Sequence, residues 1–382
     1  MKNKFTVLVV LLIIASVPII SFVKADREFS DMELRNLKQY PKTQANEVLN
    51  GQYFKELESY YLDQMFLRDQ SINLKNKFEN VLNVKIRNDL FISEDNMILA
   101  YPGLQSAEDF IESKQDRLKE ASANIVKIAQ ENPNTELIYL NVPDKELVYD
   151  SYFPIRSLSR LKLEKEYNNQ FYDMLRTENN INIVDSLDEL TANSDNYLYY
   201  KADHHFSLEG ASIVYSQLLD FLESKYGEDL SYVGWDSLEK ITIDKPFIGS
   251  YARRIGDSSY FEVDKQIITT TNHYPEFIRL ENGEVSEIPL FVNNEIQNYG
   301  AFMGGDKANT VINTQRSNLP NVLFIGDSFT NALEYLAVQS FNEIHSIDTR
   351  HYKESIYDYI NQNNFDYIII VREGLMTNDF VH

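Results

Sequence analysis

Cysteine is absent from these 382 residues. That excludes disulfides, thiolate metal sites and cysteine nucleophiles. The fold must be held by its core, and a chain this long can form a large core plus an accessory lobe. Basic residues are scarce, 36 Lys and Arg against 58 Asp and Glu, giving a net charge of -22. Such a surface repels phosphates, which argues against nucleic acid or anionic lipid as a partner. Tryptophan occurs once, against 25 Tyr and 22 Phe. Tyrosine-rich surfaces stack on sugar rings, although an AT-rich coding bias gives the same excess. Internal repeats and low-complexity stretches are absent. One uncharged apolar run exists, residues 5–23, preceded by Lys2 and Lys4. At about 1.5 Å per residue it approaches the length needed to cross a bilayer. The flanking lysines favour a cytoplasmic N-terminus with the rest of the chain outside. Val23-Lys24-Ala25 is a poor cleavage site, so an uncleaved signal anchor over residues 1–24 is expected at the cell membrane.

Residues 25–104 read as a polar stalk and a helical region, with helical spacing over 51–83. From residue 105 to 382 the pattern alternates. Helices are expected at 107–130, 161–176, 331–339 and 353–362, and one from the N-cap Ser207 to Gly227. Strands are expected at 137–142, 181–184, 322–325, 344–347 and 367–371. Strands alternating with helices predict an α/β domain with a parallel sheet covered on both faces. Residues 241–313 break the rhythm with short β-type runs such as 266–271 and 288–292, and read as a β-rich insertion.

Two segments carry chemistry. In Gly326-Asp327-Ser328-Phe329 a buried strand ends, a glycine permits close backbone approach, and a serine opens a helix. A serine there faces free backbone N–H groups able to hold an oxyanion. An ordinary β–α turn with Asp327 or Ser328 as N-cap reads the same way. In Asp203-His204-His205-Phe206 two of the six histidines stand beside an acid. Serine needs a neighbouring base, and a histidine base needs an acid to hold its tautomer. Residues i and i+2 of an extended segment share a side, so Asp203 and His205 can meet while His204 points away. A surface loop with solvated histidines is the plainer alternative. Asp203, His204 and His205 are also possible metal ligands. Adjacent histidines rarely converge on one ion, however, and His273, His345, His351 and His382 show no ligand spacing. The string also resembles the start of DHH-type phosphoesterases, which use manganese, but their further aspartate motifs are not found. No metal and no cofactor are expected.

Taken together, Gly326-Asp327-Ser328-Phe329 and Asp203-His204-His205-Phe206 resemble the SGNH (GDSL-type) hydrolase superfamily. More narrowly they resemble the AlgJ and AlgX branch of polysaccharide O-acetyltransferases and the bacterial DHHW proteins. Arg27-Glu28-Phe29-Ser30, the 51–69 stretch and Val142-Pro143-Asp144-Lys145 fit the same group. Phe206 stands where that group has Trp, and Met32-Glu33-Leu34-Arg35 replaces the usual Glu-Asn-Arg. The resemblance implies an SGNH-like, flavodoxin-like sheet, circularly permuted so that Asp-x-His precedes the serine by more than a hundred residues. It implies Ser328 as nucleophile, His205 as base and Asp203 as orienting acid. The Ser328 N–H is the safest oxyanion donor, with Gly326, Asn331 and Arg372 as weaker oxyanion or substrate candidates; Arg372 reads slightly better as a surface charge. The implied activity is acetyl transfer to an exported or cell-wall polysaccharide, with the acetyl group handed over by a membrane-bound O-acyltransferase partner, beside a polysaccharide synthase complex. An esterase with the same triad, or a non-catalytic polysaccharide-binding protein, are the competing readings.

Overall fold

The computed structural model describes residues 7, 15–30, 35–43, 45–101, 112, 115–154, 161–292 and 296–373. It divides into two compact units, Met1–Asn88 with Ala252–Ser259, and Asp89–Tyr251 with Tyr260–His382. No helix among the described residues is long and apolar enough to cross a membrane. Most of the apolar run 5–23 lies outside the described residues, as do Met32, Glu33 and Leu34. In the first unit the helical spacing over 51–83 resolves into two helices, Gln52–Gln64 and Arg68–Val81. They part where Leu67 takes a left-handed φ of 60°. Arg35 pairs with Asp63 and Arg27 with Asp69, each at 2.6 Å.

The second unit is built on an eight-stranded sheet. In chain order its strands are β1 (Glu136–Val142), β2 (Ile181–Asp185), β3 (Ile278–Glu281), β4 (Glu284–Val285), β5 (Asn309–Asn313), β6 (Val322–Gly326), β7 (Glu343–Asp348) and β8 (Tyr367–Glu373). The spatial order is β4-β3-β5-β7-β6-β8-β1-β2. From β7 to β2 all pairings are parallel. The remaining edge is antiparallel, so the sheet is mixed, against the expectation of a parallel one. The reason lies in strands contributed by 241–313. Ile278–Glu281, Glu284–Val285 and Asn309–Asn313 extend the central sheet, whereas Lys240–Phe247 and Asp264–Thr269 pair with each other in a separate two-stranded sheet. Asn282-Gly283, both at positive φ, closes β3 onto β4 in a two-residue turn that only antiparallel strands can share. Run 288–292 forms no strand beyond the single bridge Phe291–Phe302. Pro289 lacks an N–H, and the Ile288 and Pro289 carbonyls accept instead from Arg279.

Helices cover both faces. They are α1 (Gln115–Glu131), α2 (Leu161–Leu175), α3 (Leu208–Tyr226), α4 (Thr330–Ala337) and α5 (Ile356–Gln362). Val322, Phe324, Ile369 and Val371 pack with α3 and α4 on one face. Leu323, Ile325, Ile368 and Ile370 pack with α1, α2 and α5 on the other. Strands buried on both faces read as continuous apolar runs, as VLFI and YIIIV do. The expected start of α1, residues 107–114, lies almost wholly outside the described residues. Ser207 caps α3 by accepting from the Gly210 N–H, and Gly227 ends it at a φ of 73°.

Candidate active site

Ser328 stands at the carboxyl end of β6, between the last sheet residue and the first turn of α4. Asp327 braces the turn into α4: its Oδ1 accepts from the Phe329 N–H at 3.0 Å, and its carbonyl accepts from the Thr330 N–H. The Ser328 hydroxyl takes no part in capping α4, and the residue is half-buried. No described residue accepts a hydrogen bond from its backbone N–H. Gly326 is obligatory for packing, since a Cβ there would lie 2.9 Å from the Val371 carbonyl and 2.7 Å from the Thr330 methyl.

His205 and Asp203 come from the segment that leads into α3. His205 Nε2 lies 2.7 Å from Ser328 Oγ, and His205 Nδ1 lies 2.6 Å from Asp203 Oδ1. The same Oδ1 accepts from the His205 backbone N–H at 2.9 Å, while Oδ2 accepts from the Ser250 N–H at 2.5 Å. Asp203 is 1% exposed and His205 7%. Burial pushes the Asp203 carboxyl up, but His205 and His204 beside it and the hydrogen bonds of His205 outweigh this and hold it well below the usual carboxylate range. An ionised acid on Nδ1 leaves Nε2 able to accept a proton from the serine.

The geometry differs from the extended arc read in the sequence. Residues 201–204 turn, and His204 does not point away. Its ring lies 3.8 Å from that of His205, and its Nδ1 reaches Ser250 Oγ at 2.9 Å. Burial and then His205 depress its basicity. Ligand atoms of Asp203, His204 and His205 do lie within 4.8 Å of one another, and so do those of Asp306, Asp348 and His351. Arg350 sits between the two carboxylates of the second group, at 2.7 Å from Asp306 and 2.5 Å from Asp348. His351 thus has the spacing partners that the sequence did not suggest.

The weaker candidates fall differently. Asn331 donates its side-chain amide to Asp306 Oδ1 at 2.9 Å. Arg372 is no surface charge: it is 4% exposed on β8, and burial lowers its pKa against the opposing pull of Asp327.

The sequence did not mark the residues that hold the Asp-His segment in shape. Lys145 is fully buried, and its Nζ donates to the carbonyls of Ile98, Tyr200 and Lys201 at 2.7 Å and of Asp203 at 3.0 Å. Asp264 takes the N–H groups of Lys201 at 2.6 Å and Ala202 at 2.7 Å, and the hydroxyl of Tyr197. One cation thus gathers the carbonyls of the turn and one acid gathers its amides. Gly249 lets the chain pass so closely that a Cβ would sit 2.0 Å from the Ala202 carbonyl oxygen. The only signals in the sequence are the Val142-Pro143-Asp144-Lys145 motif and the Gly249-Ser250 pair after an apolar run.

Residues 104–253 match a family model described as SGNH hydrolase-like domain, acetyltransferase AlgX. The match contains Asp203 and His205 and ends before Ser328. No curated protein matches the chain. Among solved structures, Bacillus cereus PatB1, determined with a sulfonyl adduct, aligns with a TM-score of 0.61 at 18% identity, over 77% of this chain and 98% of that one. A DHHW family protein from Eubacterium siraeum DSM 15702 aligns with a TM-score of 0.54 at 18% identity, over 68% and 85%. At such identities the structural likeness speaks for the fold. Resemblance, family match and fold agree: over residues 104–253 this chain is similar to the SGNH hydrolase-like domain of acetyltransferase AlgX, carried on an SGNH-like α/β sheet.

Proposed function

We propose that this chain is an extracytoplasmic serine O-acetyltransferase, anchored by residues 5–23, that modifies hydroxyls of an exported or cell-wall polysaccharide. The observation that carries the reading is the unbroken hydrogen-bond chain Ser328–His205–Asp203, at 2.7 and 2.6 Å, in a chain similar to an acetyltransferase family. Ser328 Oγ attacks the acetyl carbonyl while His205 Nε2 takes its proton. The oxyanion is held by the Ser328 backbone N–H. The donor's leaving group departs with that proton, and Ser328 keeps the acetyl ester. A sugar hydroxyl then enters, gives its proton to His205 and attacks the ester. Collapse returns the proton to Ser328 Oγ and releases the acetylated sugar. The donor would be supplied by a membrane-bound O-acyltransferase partner, beside a polysaccharide synthase. The acidic surface suits a neutral glycan better than a polyanion.

The test is an activated acetyl ester supplied with and without neutral oligosaccharides. Acetylated sugar above the hydrolysis background, lost in Ser328→Ala, supports transfer. Acetate alone at every acceptor concentration makes the protein an esterase. Full biological activity in Ser328→Ala makes the triad irrelevant.

A further inference from the structure

Tyr299 is a buried side chain at this site that the triad chemistry leaves without a task. Its ring lies flat on His205, centroids 3.8 Å apart and planes 4° from parallel. Phe329 also packs on the imidazole, at 4.9 Å and tilted 44°. The ring contacts hold the imidazole in one plane, a role for which phenylalanine would serve equally well. The hydroxyl needs another explanation. Tyr299 is 4% exposed, and its Oη is buried with no hydrogen-bond partner among the described residues. Buried tyrosine hydroxyls ordinarily find one. Tyr199 donates to the Pro143 carbonyl at 2.6 Å, and Tyr335 to the Thr269 carbonyl at 2.8 Å. The hydroxyls of Tyr167, Tyr200 and Tyr215 share the condition of Tyr299, which is set apart from them by its stacking on the catalytic base. Burial, with Tyr200, Asp203, Asp327 and Asp306 nearby, keeps the Tyr299 proton in place, so the hydroxyl is a donor at any working pH.

The acyl oxygen already has the Ser328 N–H. The group that arrives later, and must come to His205 Nε2 to be deprotonated, is the acceptor. A sugar brings further oxygens beside the attacking one, and Tyr299 is stacked on the base that takes the attacking oxygen's proton. Resting on the acyl-transfer reading, we propose that Tyr299 is a substrate-contacting residue, its hydroxyl donating to an oxygen of the sugar acceptor while its ring fixes the plane of His205.

The experiment measures partition: acetyl groups transferred to an oligosaccharide against acetyl groups released to water, alongside acetylation of Ser328 by mass spectrometry. In Tyr299→Phe the ratio of transfer to hydrolysis falls about fivefold to tenfold, the size of one net hydrogen bond. Its melting temperature does not fall, because the lost hydroxyl has no partner among the described residues. In Tyr299→Leu, which removes the wall from the imidazole, formation of acetyl-Ser328 also slows. A wild-type partition ratio in Tyr299→Phe, with acetyl-Ser328 forming, overturns the proposal alone. So does a lowered melting point with an unchanged ratio, which would make the hydroxyl structural. Failure of the wild-type protein to acetylate Ser328 overturns the acyl-transfer reading and this proposal together.

Discussion

Replacing Lys145 by methionine removes the cation that gathers the turn bearing the triad acid, at nearly constant side-chain length. Four carbonyl oxygens, of Ile98, Tyr200, Lys201 and Asp203, lose their donor at once. A buried polar group left unsatisfied costs about 1–3 kcal/mol. The sum is reduced because the lysine's own desolvation is relieved; burial already pushes Lys145 down to about 8. Four neutral carbonyls left without their donor, offset by that relief, give a net loss of about 3–5 kcal/mol. At roughly 2–4 °C per kcal/mol for domains of this class, the melting point drops by roughly 6–20 °C. Activity suffers separately, because the Asp203 carbonyl is one of the four. A displacement of about 1 Å costs on the order of 100-fold when a catalytic group must be held in line. The assay is ester turnover well below the melting temperature, alongside thermal unfolding followed by circular dichroism. A Lys145→Met protein that melts within about 2 °C of the parent and keeps one third of its turnover would refute the reasoning.

Gly249→Ala places a Cβ 2.0 Å from the Ala202 oxygen and 2.9 Å from the Asp203 Cβ. The turn must move, so turnover should fall at least about tenfold, with a loss of roughly 1–3 kcal/mol by urea unfolding; unchanged turnover would show that the turn tolerates the shift. Glu334, buried on α4 and bonded to Ser346 and Thr330, is pushed up to about 7 by burial. The unfolded chain releases that proton near 4.3, so the folded state binds more protons between these values. The stability this group contributes is complete below about 4.3 and lost as pH rises through about 7, roughly 3–4 kcal/mol in all. Glu334→Gln should flatten the difference between urea midpoints at pH 5 and pH 8, and an identical difference in both proteins would contradict the assignment.

Much of the second unit could be read from periodicity. VLFI, YIIIV and LIYLNV became β6, β8 and β1 because strands buried on both faces leave little room for polar residues. Ser207 and Gly227 bounded α3 because caps are local chemistry. The antiparallel edge was hidden, since the Asn282-Gly283 turn is visible but its docking onto β7 through β5 is not. Asp203, His205 and Ser328 could be nominated because each stood beside a helix start. The turn that joins acid to imidazole could not be, for it depends on Lys145, Asp264 and Gly249, which are distant in sequence; Asp264 and Gly249 carry no motif, and the Val142-Pro143-Asp144-Lys145 motif does not say what Lys145 binds. Arg372 was misplaced because a single arginine after an apolar strand says nothing about what lies beyond the strand's end.

The central claim is that Ser328 becomes acylated with His205 as its base. Peptide mapping by mass spectrometry after incubation with an activated acetyl ester addresses it directly. The account predicts one acetyl group on Ser328 in the wild-type protein, none in Ser328→Ala, and at least a thousandfold slower labelling in His205→Ala. An acetyl group on another residue, or undiminished labelling without the imidazole, would contradict it.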